Sequence, residues 1–252
     1  MKFIIAIALC ITLTSGSPLI HRIVNGTTVQ NPVPWMAGIL TYYKAEGPVV
    51  TFVRECGGSL IAHNWVLTAR HCIYTEKEQQ ASNEFHVIVG SNTNFLQFKK
   101  VVEIHKYNKD HEDDVILLKL ESDVVGIAPV KVQYEDNIDY TGKMATIYGW
   151  GITETHQQSQ DLRQTNVELI SREECGESRW VCFDPELTNS NACGGDSGGP
   201  MVLEENGETL LIGLAHAVVV WNPPPSGTPC EGPKSLYMST AHYASWIRSI
   251  IG

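Results

Sequence analysis

The chain has 252 residues, 43% hydrophobic and 18% charged, the balance of a folded globular protein rather than a disordered one. Its formal net charge of −10 argues against a nucleic-acid partner, because phosphate backbones are bound through basic faces. The length suffices for a sizeable core, in one large all-β domain or two small ones.

In chain order, residues 1–17 read MKFIIAIALCITLTSGS: one lysine, an apolar run from Phe3 to about Leu13, then small residues. That is the pattern of a secretory signal peptide, too short to span a bilayer, with cleavage near Gly16 or Ser17. No later apolar segment is long enough to cross a membrane, so a secreted, extracellular protein with no membrane partner is expected. Beyond the signal lie short apolar or alternating runs: Val49–Val53, Ser59–Ile61, Val66–Thr68, Phe85–Val89, Val101–Ile104, Val115–Leu120, Met144–Tyr148, Thr165–Leu169, Met201–Leu203 and Leu210–Val220. Turn formers such as Asn25-Gly26, Thr141-Gly142 and Asn206-Gly207 separate them, which predicts an all-β sandwich or barrel. The proline-rich 221–229 stretch, WNPPPSGTP, reads as an exposed loop. One helix closes the chain, where Tyr243, Trp246, Ile247 and Ile250 recur at helical spacing on one face.

Cys10 leaves with the signal, and Cys56, Cys72, Cys175, Cys182, Cys193 and Cys230 remain. An even number in an oxidising compartment predicts disulfides rather than zinc, for which no CxxC or HExxH spacing occurs.

Three stretches carry candidate chemistry. NACGGDSGGP (191–200) surrounds Ser197 with four glycines, which suits either a tight turn or a close approach of substrate to backbone. TARHC (68–72) places His71 after a strand-like run, and DDVILLKL (113–120) places two carboxylates at the head of another. A serine nucleophile needs a base, a group to orient that base, and donors for the oxyanion. With IVNG following an arginine at 22–26, CGGSLI at 56–61, YGWG at 148–151 and YASWI at 243–247, these stretches in this order resemble the chymotrypsin-like serine proteases.

The resemblance covers nearly all of the mature chain. It implies two six-stranded antiparallel β-barrels with the active site between them and a C-terminal helix. It implies a catalytic triad of Ser197 as nucleophile, His71 as general base and Asp114 as its orienting carboxylate. Asp113 competes for the last role; the family pattern selects Asp114 and leaves Asp113 solvated. The N–H groups of Gly195 and Ser197 would form the oxyanion hole. Arg22-Ile23 would be an activation bond: residues 18–22 are a short propeptide, 23–252 the peptidase domain, and the freed Ile23 amine would pair with Asp196. The implied disulfides are Cys56–Cys72, Cys175–Cys182 and Cys193–Cys230. Protein or peptide substrates, an activating trypsin-like protease and protein protease inhibitors are the expected partners of a monomeric enzyme with no cofactor and no metal.

Several positions depart from the family pattern. Asn191 stands at the base of the substrate pocket, where trypsins carry aspartate; Val218 matches one wall and Ser235 the other, with Lys234 an alternative. A neutral, narrowed pocket predicts elastase- or chymotrypsin-like rather than trypsin-like specificity. Arg70 precedes the histidine where a small residue is usual. GLAHAVV (213–219) puts His216 where a serine usually supports the aspartate, and Ala217 where an aromatic is usual; a rival alignment uses Val220-Trp221-Asn222. If the first holds, His216 either perturbs Asp114 or replaces the lost hydrogen bond. These departures are the support for an alternative, a catalytically weakened homologue acting by binding. The CGESRWVC loop (175–182) is short for the family, which predicts a cleft more open on that side. The 91–98 loop, SNTNFLQF, lacks carboxylates for calcium, and Asn25-Gly26-Thr27 is a glycosylation sequon.

Overall fold

The computed structural model describes residues 23–252 apart from 45–49, 76, 83, 91–95, 109–111, 154, 223, 224, 226, 228 and 229. The expected signal and propeptide, Arg22, most of the calcium-loop positions and parts of the proline-rich loop therefore lie outside the described residues.

The first half is a closed barrel of six strands: β2 (Met36–Lys44), β3 (Val50–Ala62), β4 (Trp65–Thr68), β5 (Phe85–Val89), β6 (Gln97–Lys106) and β7 (Ile116–Leu120). They hydrogen-bond in the cyclic order β2-β3-β4-β7-β6-β5, every pair antiparallel. Closure removes the exposed edges that an open sheet would present. Ile39, Leu60, Leu67, Val87, Ile116 and Leu118 fill the interior at 0% exposure. Two runs that read as separate strands, Val49–Val53 (described from Val50 on) and Ser59–Ile61, fall in one long β3, which pairs with β2 through a bulge at Ile39/Leu40.

The second half is a sheet of eight strands. Its path joins β1 (Thr27–Thr28), β10 (Arg163–Glu168), β9 (Met144–Gly149), β12 (Pro200–Glu205), β13 (Glu208–Val219), β14 (Lys234–Ser239) and β11 (Trp180–Phe183), and β8 (Lys131–Val132) pairs with β13 in parallel. Six of these, β10-β9-β12-β13-β14-β11, run consecutively as one antiparallel sheet. A single bridge, Leu169 to Phe183, with the Ile170 N–H donating to the Cys182 carbonyl at 3.0 Å, brings the end of β10 round to β11. Ala145, Ile147, Val167, Phe183, Met201 and Ile212 pack inside it.

Three helices punctuate this half. The capping box of Ser171 and Glu174 starts α1 (Arg172–Cys175), and the Asp184 side chain with Pro185 at the first position starts α2 (Pro185–Thr188). The closing helix α3 (Ala244–Ile251) presents the predicted face, with Tyr243 and Ile247 buried and Trp246 and Ile250 packed against the same core. No helix among the described residues is long and apolar enough to cross a membrane.

The halves meet on glycine. The Gly57 N–H in β3 donates to the Ser197 carbonyl at 2.8 Å, and a Cβ on Gly57 would lie 2.9 Å from the Gly199 Cα. This contact brings the serine loop against the strand that leads toward His71.

Candidate active site

His71 occupies a one-turn 3₁₀ segment, Arg70–Cys72, directly after β4, and the Cys56–Cys72 disulfide ties that turn to β3. Its backbone N–H donates to Asp114 Oδ1 at 2.8 Å, and its ring Nδ1 lies 2.6 Å from Asp114 Oδ2. Asp114 lies two residues before the buried strand β7 and is 3% exposed. Burial raises its carboxyl, but bonds from His216 and His71 outweigh that and bring it down to about 2. An ionised carboxylate only accepts hydrogen bonds, so both imidazoles must carry their proton on Nδ1.

His216 is the second of those imidazoles, with Nδ1 2.7 Å from the same Oδ2. The alignment that places His216 beside the aspartate thus describes the structure. The two rings and the carboxylate have ligand-type atoms within 4.8 Å of one another. Nitrogen–oxygen separations of 2.6 and 2.7 Å are those of hydrogen bonds, shorter than the spacing of ligands spread around a metal ion.

Ser197 is half-buried on a loop shaped by two left-handed glycines, Gly195 at φ +94° and Gly198 at φ +71°. A Cβ on Gly198 would meet Thr68 Oγ1, and would lie 2.7 Å from the Gly57 carbonyl oxygen and 2.8 Å from the Ala69 nitrogen. The serine loop is therefore locked against the residues leading to His71. Gly198→Ala adds a clash with backbone to a disfavoured φ, and should cost upwards of about 2 kcal/mol of stability. Urea unfolding of the variant measures it, and a loss under 0.5 kcal/mol would show that the loop yields cheaply.

A cavity of about 230 Å³ opens beside Ser197, walled by Ala215, His216, Ala217, Val218, Val220 and Tyr237 among others. Val218, expected on a wall of the substrate pocket, is among these lining residues. Asn191 and Ser235 are not among the residues lining this cavity: they are 2% and 0% exposed, and the Ser235 hydroxyl donates to Asn191 Oδ1. The Asn191 amide donates in turn to the Cys230 carbonyl at 2.6 Å. A neutral, mutually satisfied pair thus occupies this position.

Asp196, next to the serine, is buried and turned away from it. Its oxygens accept from the N–H groups of Gly151 at 2.7 Å and Cys193 at 2.9 Å. Among the described residues no cation pairs with it, and burial pushes its carboxyl up to about 6 despite those two bonds. The glycines of YGWG are required here: a Cβ at Gly149 or Gly151 would overlap the Asp196 carboxylate. Ile23 is 1% exposed and packs in the core of the second half, with φ +43°, a left-handed value unusual for a β-branched residue. Its neighbour Val24 bridges to Asn191.

One expectation needs correction. Asp113 is not solvated: its side chain is 13% exposed, accepts from the Tyr243 hydroxyl at 2.8 Å, and lies 3.5 Å from the Arg179 guanidinium. Arg179, within the CGESRWVC loop, also reaches Glu112 at 2.9 Å and Glu177 at 2.5 Å. No local signal marks Arg179 as a clamp. Arg70, the other unusual residue, is 3% exposed with its guanidinium 2.5 Å from Glu78, which Lys106 also contacts at 3.2 Å. The Asn25 amide of the sequon donates to the Asn189 carbonyl at 2.5 Å.

All three disulfides join the expected partners: Cys56–Cys72, Cys175–Cys182 and Cys193–Cys230. The last ties the serine loop to the segment beyond the cavity wall. A sequence profile of the trypsin family matches residues 23–247. The chain belongs to the trypsin family. Its relatives include the urokinase-type plasminogen activator of Gallus gallus, 29% identical over 260 residues, covering 90% of this chain and 57% of the relative. Limulus clotting factor C of Carcinoscorpius rotundicauda is 24% identical over 271 residues, covering 94% of this chain and 26% of the relative. Clotting factor C of Tachypleus tridentatus matches to the same extent. The trypsin-family chain thus spans little more than half of the first relative and about a quarter of the other two.

Proposed function

We propose that this trypsin-family chain is a secreted serine endopeptidase, made as a zymogen and activated by cleavage between Arg22 and Ile23. The observation that carries the reading is the contact of His71 with Asp114 through both backbone and ring, in a turn whose lead-in residues Thr68 and Ala69 lie against Gly198 of the serine loop. In this reading Ser197 Oγ attacks the scissile carbonyl and His71 Nε2 takes the hydroxyl proton. Asp114 stabilises the imidazolium that forms. The N–H groups of Gly195 and Ser197 hold the oxyanion, and the imidazolium then protonates the leaving amine. Water repeats the sequence on the acyl-enzyme.

The substrate is a protein or peptide with a neutral, small to medium apolar residue before the scissile bond. Support comes from the apolar walls at Ala215, Val218 and Val220. Val218→Gly should widen the cavity and shift preference toward larger side chains by about tenfold in kcat/KM, the worth of one or two methylenes. A peptide library with varied P1 residue reads this directly, and an unchanged profile would remove Val218 from the specificity determinants. A trypsin-like protease would supply activation, and protein protease inhibitors would be natural partners of the monomeric enzyme. No cofactor or metal enters any step.

The deciding experiment is active-site titration of the expressed precursor with a fluorophosphonate, before and after cleavage at Arg22, with Ser197→Ala as control. Stoichiometric labelling of the cleaved form alone supports both nucleophile and switch. A folded, cleaved protein that does not label would favour the non-catalytic homologue.

A further inference from the structure

Three donors converge on Asp114: the His71 N–H on Oδ1, and two imidazole Nδ1–H groups on Oδ2. The His216 ring reaches that place through an irregularity in its strand. β13 pairs with β14 in one register up to Ala215 and in a shifted one from Ala217, so His216 is the extra residue of a bulge. A bulge bends its strand and re-aims a side chain, and here it turns His216 onto the carboxylate. Behind the rings lies a cavity of about 200 Å³ lined by Arg70, His71, Tyr74, Asp114 and His216. Packing alone therefore does not confine the carboxylate on that side.

We propose that His216 is a positioning residue of the reaction, whose Nδ1–H bond to Asp114 Oδ2 holds the carboxylate in the rotamer that brackets His71. Without that bond, Oδ2 keeps one ring partner beside an open space, and the carboxylate can turn away from the His71 backbone N–H. The His71 ring then loses its fixed tautomer and direction. His216 acts through Asp114 and need not touch substrate. The inference rests on the reading that Ser197, His71 and Asp114 carry the chemistry.

An isosteric pair of variants separates donation from bulk. In His216→Asn the amide nitrogen falls close to the place of Nδ1 and can still donate; His216→Leu has nearly the same shape and cannot. The leucine variant should lose about 10- to 100-fold in kcat with KM within about twofold, the scale of one hydrogen bond to a buried charged group. The asparagine variant should stay within about fivefold of wild type on the same scale. Should the leucine variant not fold, His216→Ala takes its place.

A second readout does not need turnover. In the Ser197→Ala background, the downfield proton resonance of His71 Nδ1–H should persist in the asparagine variant and shift or broaden in the leucine variant. Equal kcat in the two variants, whether high or low, overturns the proposal, as does a rise in KM at unchanged kcat or an unmoved resonance. A wild-type protein that neither turns over nor labels would sink the catalytic reading instead, and the resonance would still report whether His216 orders the pair.

Discussion

Asp114→Asn is expected to lower kcat about 10⁴-fold, the effect of a histidine held in the wrong tautomer, while the protein stays folded. The reason is specific to this carboxylate. All three of its partners are donors: the His71 N–H at Oδ1 and two imidazole N–H groups at Oδ2. A carboxamide offers one acceptor in place of two. Whichever way it turns, its NH₂ faces either the His71 backbone N–H or both rings, and a donor–donor contact in a site 3% exposed has no water to relieve it. The rings can escape only by moving their protons to Nε2, which removes the acceptor that Ser197 needs. Steady-state kinetics on a chromogenic amide, with unfolding curves as the folding control, give the test; a variant within tenfold of wild type would mean that Asp114 does not set the tautomer. The same carboxylate contributes to acid stability. Its folded value of about 2 lies below the ordinary 3.8, so its contribution is present above pH 4 and is lost as pH falls through 2.

Asp196 has the opposite sign, and under the proposed activation it should make the uncleaved and cleaved chains differ with pH. In the uncleaved chain its carboxyl is raised from 3.8 to about 6 by burial. The folded state then holds a proton that the unfolded state has already released, so stability falls as pH rises from 4 to 6. Above pH 6 the penalty is complete and amounts to about 3 kcal/mol. Cleavage before Ile23 would free a positive amine, which on reaching Asp196 would favour the charged form and abolish the penalty. Melting temperature against pH, measured on both forms, should therefore drop between pH 4 and 6 for the uncleaved chain only. Asp196→Asn should flatten the uncleaved profile and, after cleavage, leave the protein at least 100-fold less active, since a buried pair is worth several kcal/mol when one partner is removed. Superimposable profiles for the two forms would dispose of the switch.

Much of the site was legible because its parts are local motifs. GDSGGP, TARHC and DDVILLKL each specify a turn or buried strand by composition, and the three disulfides follow from their resemblance to the family. Strands rich in aliphatic residues were equally plain; Phe85–Val89 is β5 to the residue. What escaped was weakly patterned or long-range. β2 follows a proline-rich stretch and carries Gly38 within it, β11 has only four residues, and β14 begins and ends in polar ones. Asp113 looked solvated because its partners, Tyr243 and Arg179, come from distant parts of the chain, Tyr243 130 residues away. Ser235 reads as a pocket wall in the sequence, yet it is fully buried with its hydroxyl on Asn191, which depends on geometry that no spacing encodes.

The left-handed backbone at Ile23 bears on the direction of the activation proposed above. A β-branched residue held at φ +43° carries a strain of about 1–3 kcal/mol. That torsion is defined by the carbonyl carbon of the residue before it, so hydrolysis of the preceding peptide bond abolishes the torsion together with its strain. The chain ends that result have no conformational reason to rejoin, and their resynthesis would have to restore the strain as well as extract an amine from a buried carboxylate. Under the activation proposed above, maturation would then be a ratchet: a single cut would commit the chain, and control would fall before it, on the activating protease, or after it, on inhibitors.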